Sequence, residues 1–592
     1  MIITSFTNNV TTMYNEDTMT IDGLTLHYAV QEIENMIVGC KVDKVQQPQP
    51  STLVLSFRAP GKNVKLLICA GAFDSRMHMT QHKLENPKKP PMFCMFLRKY
   101  IGSSKVSAVE QDGLERIVNI TLEAKDELGL TRRLTLVCEL MGKYSNVILV
   151  NEGGVIMDSL KHVTKSLSRV RQVMPSLEYV LPRSSKLNLL TISKATLVEM
   201  LEKRGDKRIR QYLSQFLQGV SRQTADEMLY RYMPGGYEDV QREPEKLASV
   251  IVSFVDELQI LSPTVYSRSE PFFYSPIVYH CVAYESALTA GSMNEMLDSF
   301  YKSVADVSMI NKKRAALHKK VAKKIDKLSY ILKKQHDTMG KAKKAEKFKV
   351  YGDIITANIY RIEKGMRLLE AQDYHTGEDL QIPLDARLSP SANAQLNYKK
   401  YNKRKAGLPI TAKRMNANKK EIAFLESVQL SLDNCERLDE LKEVEYELSK
   451  AGVISTLAAK TKATQQPSSP YKFISTDGYT IFAGKNNRQN DTLTMKTAEP
   501  NDLWLHTKDI PGSHVLIVGA DENLPDSTLL EAAAIAATLS KAKGSSKVPV
   551  DYAPRKNVRK PNGSKPGYVV YEGYNTVIVD PDKELFDKLL VK

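Results

Sequence analysis

Between residues 311 and 450 the sequence carries two apolar stripes at helical spacing, and they restrict the fold more than any other feature. Leu317, Val321, Ile325, Leu328 and Leu332 step by 4, 4, 3 and 4; Ile422, Leu425, Val428, Leu432 and Cys435 step by 3, 3, 4 and 3. Such spacing lines apolar side chains along one side of a helix, and a long helix with a single apolar seam needs a partner to cover it. Two helical arms are therefore expected, at about 300–371 and 402–451, pairing antiparallel as a coiled coil. The turn-rich YHTGEDLQIPLDARLSPSANA (374–394) would lie between them. Two arms serving only as a spacer would show the same seams.

Charge bears on that choice. Residues 311–350 hold fifteen Lys or Arg against three acids, a net +12, whereas 431–450 hold seven acids against three bases. Complementary charge would help set the register of the pair. The surplus remains positive, as it does over the whole 592-residue chain, whose net charge is +16 and pI about 9.2. A second cluster at 541–565 has eight basic residues and one acid, Asp551. Two dense basic clusters far apart in sequence favour a polyanion partner over plain solvated faces.

The length implies several domains. A mixed α/β lobe is expected over 1–175, with strands at TLVLSF (52–57), VKLLICA (64–70), RIVNITL (116–122), RLTLVCEL (133–140) and NVILVN (146–151). HYAVQEIENMI (27–37) and FCMFLRKYI (93–101) read as helices. Over 176–275 strand patterns stop and short helices begin. FLQGVSRQTADEML (216–229) has the form of a helix-hairpin-helix, in which glycine amides can hold phosphate; here Ser221 stands where a second glycine is usual. A compact packing unit would read the same way. The middle region takes 276–455. After the polar linker TKATQQPSSP (461–470), an α+β domain is expected over 465–592, with strands at YKFIS, YTIFAG, SHVLIVG, GYVVY and NTVIVD. Its helix would be opened by a Thr528–Glu531 capping box and stopped at Gly544. The fold class is thus multidomain α+β.

No run of 18 apolar residues suggests a membrane span, and MIITSFTNNVTTMYNEDT has no pattern of a secretion signal. The six cysteines are scattered, without a CxxC pair, as expected of free thiols in a reducing cytoplasm. No metal site, cofactor or catalytic constellation is expected: there is no Gly-x-Ser-x-Gly, phosphate-binding P-loop or dinucleotide fingerprint.

NDLWLHTKDIPGSHV (501–515) holds the only tryptophan, Trp504, and two of ten histidines, His506 and His514. Ile510-Pro511-Gly512-Ser513 fits a type II turn between two strands. Trp504 would stack on a base or fill the core; His506 would face RNA or lock the strand edge. RKNVRKPNGSKPG (555–567), with Arg555, Lys556, Arg559, Lys560 and Lys565 broken by Pro, Asn and Gly, suits a loop tracking a phosphate backbone. RNA is favoured over DNA because no groove-sized recognition helix is offered.

These segments resemble one family. DGYTIFAGKNNRQNDTLTMKTAEPNDLWLHTKDIPGSHVLI (477–517) and DYAPRKNVRKPNGSKPGYVVYEGYNTVIV (551–579) are similar to the NFACT RNA-binding domain. AGAFDSRMHMT (70–80) and NPKKPPMFCMFLRKYI (86–101) are similar to the NFACT N-terminal domain. YGDIITANIYRIEKG (351–365) and LDARLSPSANAQLNYKKYNKRK (384–405) resemble the linker and coiled-coil region between them. The resemblance implies a cytoplasmic factor that binds large ribosomal subunits still holding peptidyl-tRNA. It recruits charged tRNA, chiefly alanyl-tRNA, so that the nascent chain grows an alanine tail without mRNA. The peptidyl-transferase centre makes the bonds, so the protein is a tRNA-delivering factor and not an enzyme; rRNA and the accessory factor RqcP are further implied partners. The family's acid–arginine pair for tRNA falls on Glu115 and Arg116, with glutamate where aspartate is usual, and its early Asp-Gly on Asp22 and Gly23. The N-lobe and helical hairpin also resemble the architecture of formamidopyrimidine-DNA glycosylases, whose N-terminal proline amine is not expected from MIITSF. A fibronectin-binding surface adhesin is the remaining alternative, disfavoured by the missing secretion pattern.

Overall fold

The computed structural model describes residues 20–59, 61–125, 129–182, 184–205, 207–233, 243–268, 271–374, 376–455, 468–521 and 523–591. The segment 1–18, expected to carry no secretion signal, and residues 461–467 of the expected linker lie outside these. The chain divides into two compact units, residues 1–306 and 307–592.

The first unit is built on a nine-stranded antiparallel sheet. Helix α1 (Gly23–Ile37) precedes β1 (Lys41–Gln49), β2 (Thr52–Ala59), β3 (Lys62–Cys69) and β4 (Arg76–Met79). Helix α2 (Met92–Ile101) then leads to β5 (Lys105–Gln111), β6 (Ile117–Lys125), β7 (Thr131–Glu139), β8 (Asn146–Asn151) and β9 (Ile156–Ser159). The spatial order is β4-β3-β2-β1-β5-β6-β7-β8-β9. The apolar stripe of α1 (Leu26, Ala29, Ile33, Ile37) and that of α2 (Phe93, Leu97, Ile101) share one core with the inward residues of the sheet. All five expected strands are present. Four more (β1, β4, β5, β9) carry weaker patterns; KVDKVQQPQ, for instance, buries only three of nine residues.

Helices α3 (Lys194–Glu202), α4 (Ile209–Phe216), α5 (Arg222–Tyr232) and α6 (Pro244–Glu257) follow, around a second core. Leu24 of α1 and Leu114 from the β5–β6 turn are part of that core. The expectation that strands cease through 176–275 is corrected by β10 (Thr264–Ser267) and β11 (Pro271–Ser275), which pair with β12 (Ser286–Thr289) in the order β11-β10-β12. Their aromatic side chains, Tyr266 and Phe273, fill the helical core, so TVYS and PFFYS read as apolar segments without clear alternation.

Helix α7 (Met293–Lys343) ends within the second unit. It stops well short of 371. The next residues form a small fold: α8 (Glu346–Ala357) and the hairpin β13 (Leu368–Gln372) and β14 (Asp379–Pro383). Ile354, Ile355, Leu369 and Ile382 give it a core of its own, so this stretch is not one turn-rich loop. Helix α9 (Pro390–Asp433) begins earlier than 402, because Ser389 caps it by accepting from the Ala392 amide. A break at 434–437 separates it from α10 (Leu438–Lys450), where Glu440 accepts from the amides of Glu436 and Arg437. The two apolar seams do meet: Leu317, Val321 and Leu328 share a core with Leu425, Val428 and Leu432, and α10 adds Leu441, Val444 and Leu448. Asn418 Nδ2 donates to Gln335 Oε1 at 3.0 Å, and His318 Nε2 lies 3.0 Å from Asp433. Residue numbers thus rise along one helix as they fall along the other.

The last part of the chain is a six-stranded antiparallel sheet with strands β15 (Tyr471–Ile474), β16 (Thr480–Ala483), β17 (Leu503–Thr507), β18 (Val515–Ile517), β19 (Val548–Pro554) and β20 (Asn575–Val579). Their order is β15-β16-β18-β17-β19-β20. Short α11 (Asn487–Thr492) follows β16, α12 (Asp526–Thr538) covers one face, and α13 (Lys583–Leu589) ends the domain. The run of buried alanines 532–534, 536 and 537 brings α12 close to the sheet. Two local expectations are corrected. Thr528 is in the third helical position and not the cap; its hydroxyl donates to Asp477, while Glu531 accepts from the amide and hydroxyl of Thr476. Both side chains tie the helix to the β15–β16 turn. The helix also ends at Thr538, before Gly544.

Candidate nucleic-acid interface

Asp22 and the adjacent Glu115 and Arg116, far downstream in sequence, line one cavity of about 960 Å³ in the first unit. Asp22 caps α1: its Oδ1 accepts from the Thr25 amide at 2.7 Å, and its Oδ2 accepts from the Thr224 hydroxyl of α5 at 3.3 Å. That second bond requires α5 to lie against the start of α1, and two glycines permit it. A Cβ on Gly23 would stand 1.9 Å from the Leu114 carbonyl oxygen. Gly219, at φ +80°, would place one 2.9 Å from the Leu114 side chain. The five residues joining α4 to α5 therefore serve close backbone packing. Ser221 accepts from the Thr224 amide as the cap of α5.

Glu115 and Arg116 sit where the β5–β6 turn re-enters the sheet. Gln111 Nε2 donates to the carbonyls of Gly23 and Glu115, and Gln218 Oε1 accepts from the Leu114 amide at 3.4 Å. These two glutamines position the pair. Their only sequence signal was an amide side chain beside each glycine turn. The Arg116 guanidinium has no hydrogen bond or ion pair among the described residues. Burial draws it below its ordinary range, with Asp22 and Glu115 opposing that shift through space. One Glu115 carboxylate oxygen, Oε1, is buried without a donor. A buried carboxylate oxygen and a nearby guanidinium that satisfy neither each other nor the protein cost free energy, unless a ligand completes them.

The rest of the wall is basic. Lys143, Lys186, Arg208, Arg210 and Arg222 join Arg116, against two acids, Asp22 and Glu115. Arg210 is held by Asp226 at 2.8 Å and Lys186 donates to the Ser214 carbonyl. Arg208 and Arg222 are exposed and, among the described residues, unpaired. Such a wall attracts phosphate, and Glu115 offers an acceptor to base amino groups.

The C-terminal candidates are arranged differently. Trp504 and His506 project from one face of β17, while Leu503 and Leu505 face α12. Trp504 is wholly buried against Tyr571, at 4.8 Å between ring centroids, and stacks on His506 at 5.8 Å. His514 is also buried; its Nδ1 lies 2.7 Å from the Thr494 hydroxyl. As direct base contacts Trp504 and His514 are corrected: they build the interior under this face. His506 is half-buried. Burial lowers its pKa to about 4, backbone bonds near Gly512 and Thr507 only partly offsetting that, and burial likewise drives His514 well below its ordinary value. Both are neutral at pH 7. The type II turn is corrected too. The positive φ falls on Asp509 (+53°), not on Gly512; glycine is needed at 512 because a Cβ would lie 2.5 Å from the Thr507 hydroxyl.

Most of the basic loop is engaged within the fold. Arg555 Nε donates to the Thr494 carbonyl at 2.8 Å, Arg559 pairs with Glu572 at 2.7 Å, Lys560 pairs with Asp491, and Lys565 pairs with Glu421 of α9. Lys556 stays exposed, 3.5 Å from the Asn501 side-chain oxygen. Sequence reasoning missed the polar seam beneath: Lys485 pairs with Glu440 at 2.7 Å, Asn486 donates to Glu443, and Asn487 donates to the buried Glu447. Burial raises the Glu447 pKa to about 7.

A nine-stranded sheet with a basic cavity, long paired helices and a C-terminal α+β domain define a multidomain α+β protein with a charged, polyanion-suited cleft. The chain belongs to the NFACT family: residues 22–467 match the NFACT N-terminal and middle domains, and 469–573 match the NFACT protein RNA binding domain. It is 35% identical to the Rqc2 homolog RqcH of Bacillus subtilis, covering 96% of this chain and 100% of that protein. Identity to the Rqc2 homolog RqcH of Streptococcus pneumoniae is 32%, over 96% of this chain and 98% of that one. A ribosome quality control complex subunit NEMF homolog of Drosophila melanogaster is 22% identical, over 87% of this chain and 59% of that protein.

Proposed function

We propose that this chain is a cytoplasmic ribosome-associated quality-control factor that captures large ribosomal subunits holding peptidyl-tRNA and brings charged tRNA, alanyl-tRNA, to them. It supplies binding and orientation, not a nucleophile; bond formation belongs to the peptidyl-transferase centre. The observation that carries the reading is Arg116, unpaired among the described residues, beside the unsatisfied Glu115 in a basic cavity of a chain of this family. Asp22, Glu115 and Arg116 are the tRNA-contacting set. The α4–α5 pair acts as a helix-hairpin-helix that backs it. The long helices form an antiparallel coiled-coil arm whose +12 segment lies along rRNA, and the C-terminal domain adds an RNA- or ribosome-facing surface through Lys556 and its neighbours. RqcP is the accessory partner.

The test is capture of the tagged protein from its own cells with sequencing of bound RNA, wild type against Glu115→Ala/Arg116→Ala. Large-subunit rRNA with one enriched tRNA, and loss of the tRNA alone in the variant, is the expected result. Absence of both RNAs from the wild-type capture overturns the reading and would direct attention to the adhesin alternative.

A further inference from the structure

Two exposed aromatic rings share the wall of the Arg116 cavity. Phe73 is 59% and Tyr144 70% exposed, and both line it. Neither ring packs on another aromatic ring among the described residues, and Lys143 Nζ stands 5.0 Å from the centre of the Tyr144 ring. Exposed rings lose hydration favourably when a partner covers them, and a flat partner can also stack on the ring face.

The loops that carry them are held firmly. Ser75, fully buried, donates to the Leu140 carbonyl and accepts from the Gly142 amide, both at 3.3 Å. Lys161 Nζ donates to the carbonyls of Ala70 (2.6 Å) and Ser145 (2.9 Å), one on each loop. Gly142, at φ +58°, would bring a Cβ within 3.2 Å of the Ala72 carbonyl, and Gly71 leaves room for the Asp74 carboxylate. The two segments therefore form one stitched platform with its rings already in place, so that covering them costs little ordering entropy.

We propose that Phe73 and Tyr144 are stacking surfaces for unpaired nucleotides of an RNA loop, with Arg116, Arg208 and Arg222 taking the phosphates. This rests on the RNA reading of the cavity and adds which side chains stack on the bases there. A cavity of about 960 Å³ has room for a few nucleotides. Bases in a duplex are stacked on one another and hidden from side chains, whereas loop bases can be splayed onto aromatic faces. Cations beside rings match a chain of alternating phosphates and π-faces better than an apolar peptide.

The experiment uses the full-length chain, a short RNA hairpin with 2-aminopurine in its unpaired loop, and a blunt RNA duplex of equal charge. Wild type should bind the hairpin with quenched 2-aminopurine emission. Phe73→Ala and Tyr144→Ala should each weaken hairpin binding by about tenfold, lift the quench, and leave the salt slope and duplex binding unchanged. Phe73→Tyr and Tyr144→Phe should restore both signals. Arg208→Ala/Arg222→Ala should instead lower the salt slope for both RNAs. Undiminished hairpin affinity and quench in the Phe73→Ala/Tyr144→Ala double variant, with wild type still binding, overturns the stacking role alone. Equal losses for hairpin and duplex do the same. A wild type that binds neither RNA overturns the RNA reading of the cavity itself.

Discussion

The Arg116 cavity and the Trp504 face contain the same kinds of side chain, yet the fold treats them in opposite ways. Around Arg116, that residue, Arg208 and Arg222 have no partner among the described residues, and two rings stand in solvent. Around Trp504 the rings are packed on one another, the histidines are neutral, and four of the five nearby cations are tied to carboxylates or carbonyls. Unsatisfied groups mark where a ligand completes the protein; satisfied ones mark where the protein has completed itself. Composition alone would rank the C-terminal motif higher, since it is richer in aromatic and basic residues. The accounting of partners reverses that ranking for direct contact.

The contrast can be broken most sharply at Trp504. Trp504→Ala should destabilise the C-terminal domain by about 3–5 kcal/mol, read by denaturant melting, while RNA affinity of the folded protein stays near wild type. In the wild type, Trp504 emission should be blue-shifted and unmoved by added RNA; quenching on binding would show that this face contacts the ligand after all.

Acid should act next, and on the same face. His506 has a folded pKa of about 4 against 6.5 for an exposed histidine, and His514 is also depressed. A depressed histidine stabilises the fold fully above the unfolded pKa, and the contribution fades as pH falls from about 6.5 towards 4, by about 3 kcal/mol at most for His506. Glu447 opposes this: its folded pKa is raised to about 7 from 4.5, so its stabilisation is present below pH 4.5 and is lost as pH rises to 7. Melting Glu447→Gln across pH, followed by Trp504 emission, should therefore expose the histidine loss undiluted and raise stability at pH 8. A flat profile from pH 7 to 4.5 in that variant would contradict neutral, buried histidines.

Arg116→Ala tests the other side of the contrast. It should weaken RNA binding by about 1–3 kcal/mol and leave the melting temperature nearly unchanged, because the guanidinium makes no bond among the described residues. A large stability loss without a change in affinity would recast it as structural. The smallest effect is expected at Arg559. Its pair with Glu572 is exposed on both sides, so Arg559→Ala should shift stability by less than about 0.5 kcal/mol; filter binding at two salt concentrations would show whether it adds to the phosphate surface.

Much of the fold was legible because periodicity is local. The strong strands of the N-lobe, α1, α2, most of the C-terminal sheet and both apolar seams follow from patterns within ten or so residues; the strand Val548–Pro554 was missed, and of the expected GYVVY only Val570–Tyr571 is extended, outside the six-stranded sheet. Ends of elements were read less well. The helix expected to reach 371 stops at Lys343, and the capping pair Thr528–Glu531 is spent on contacts with the β15–β16 turn, since a cap and a tertiary anchor use the same residue types. Strands β10 and β11 were lost among helices because their aromatic residues serve a helical core.

The sequence by itself determined the basic balance, the paired helical seams, the family resemblance and the three residues Asp22, Glu115 and Arg116. Only the tertiary structure decided which charges stay unpaired. Spacing says which residues share an element, but a partner more than a hundred residues away decides whether a cation is neutralised, as Glu421 does for Lys565, or left lining a cavity without a partner among the described residues, as Arg116 is. The same holds for the rings: nothing in the motif distinguishes Trp504 from Tyr144 until the chain closes over one and leaves the other exposed.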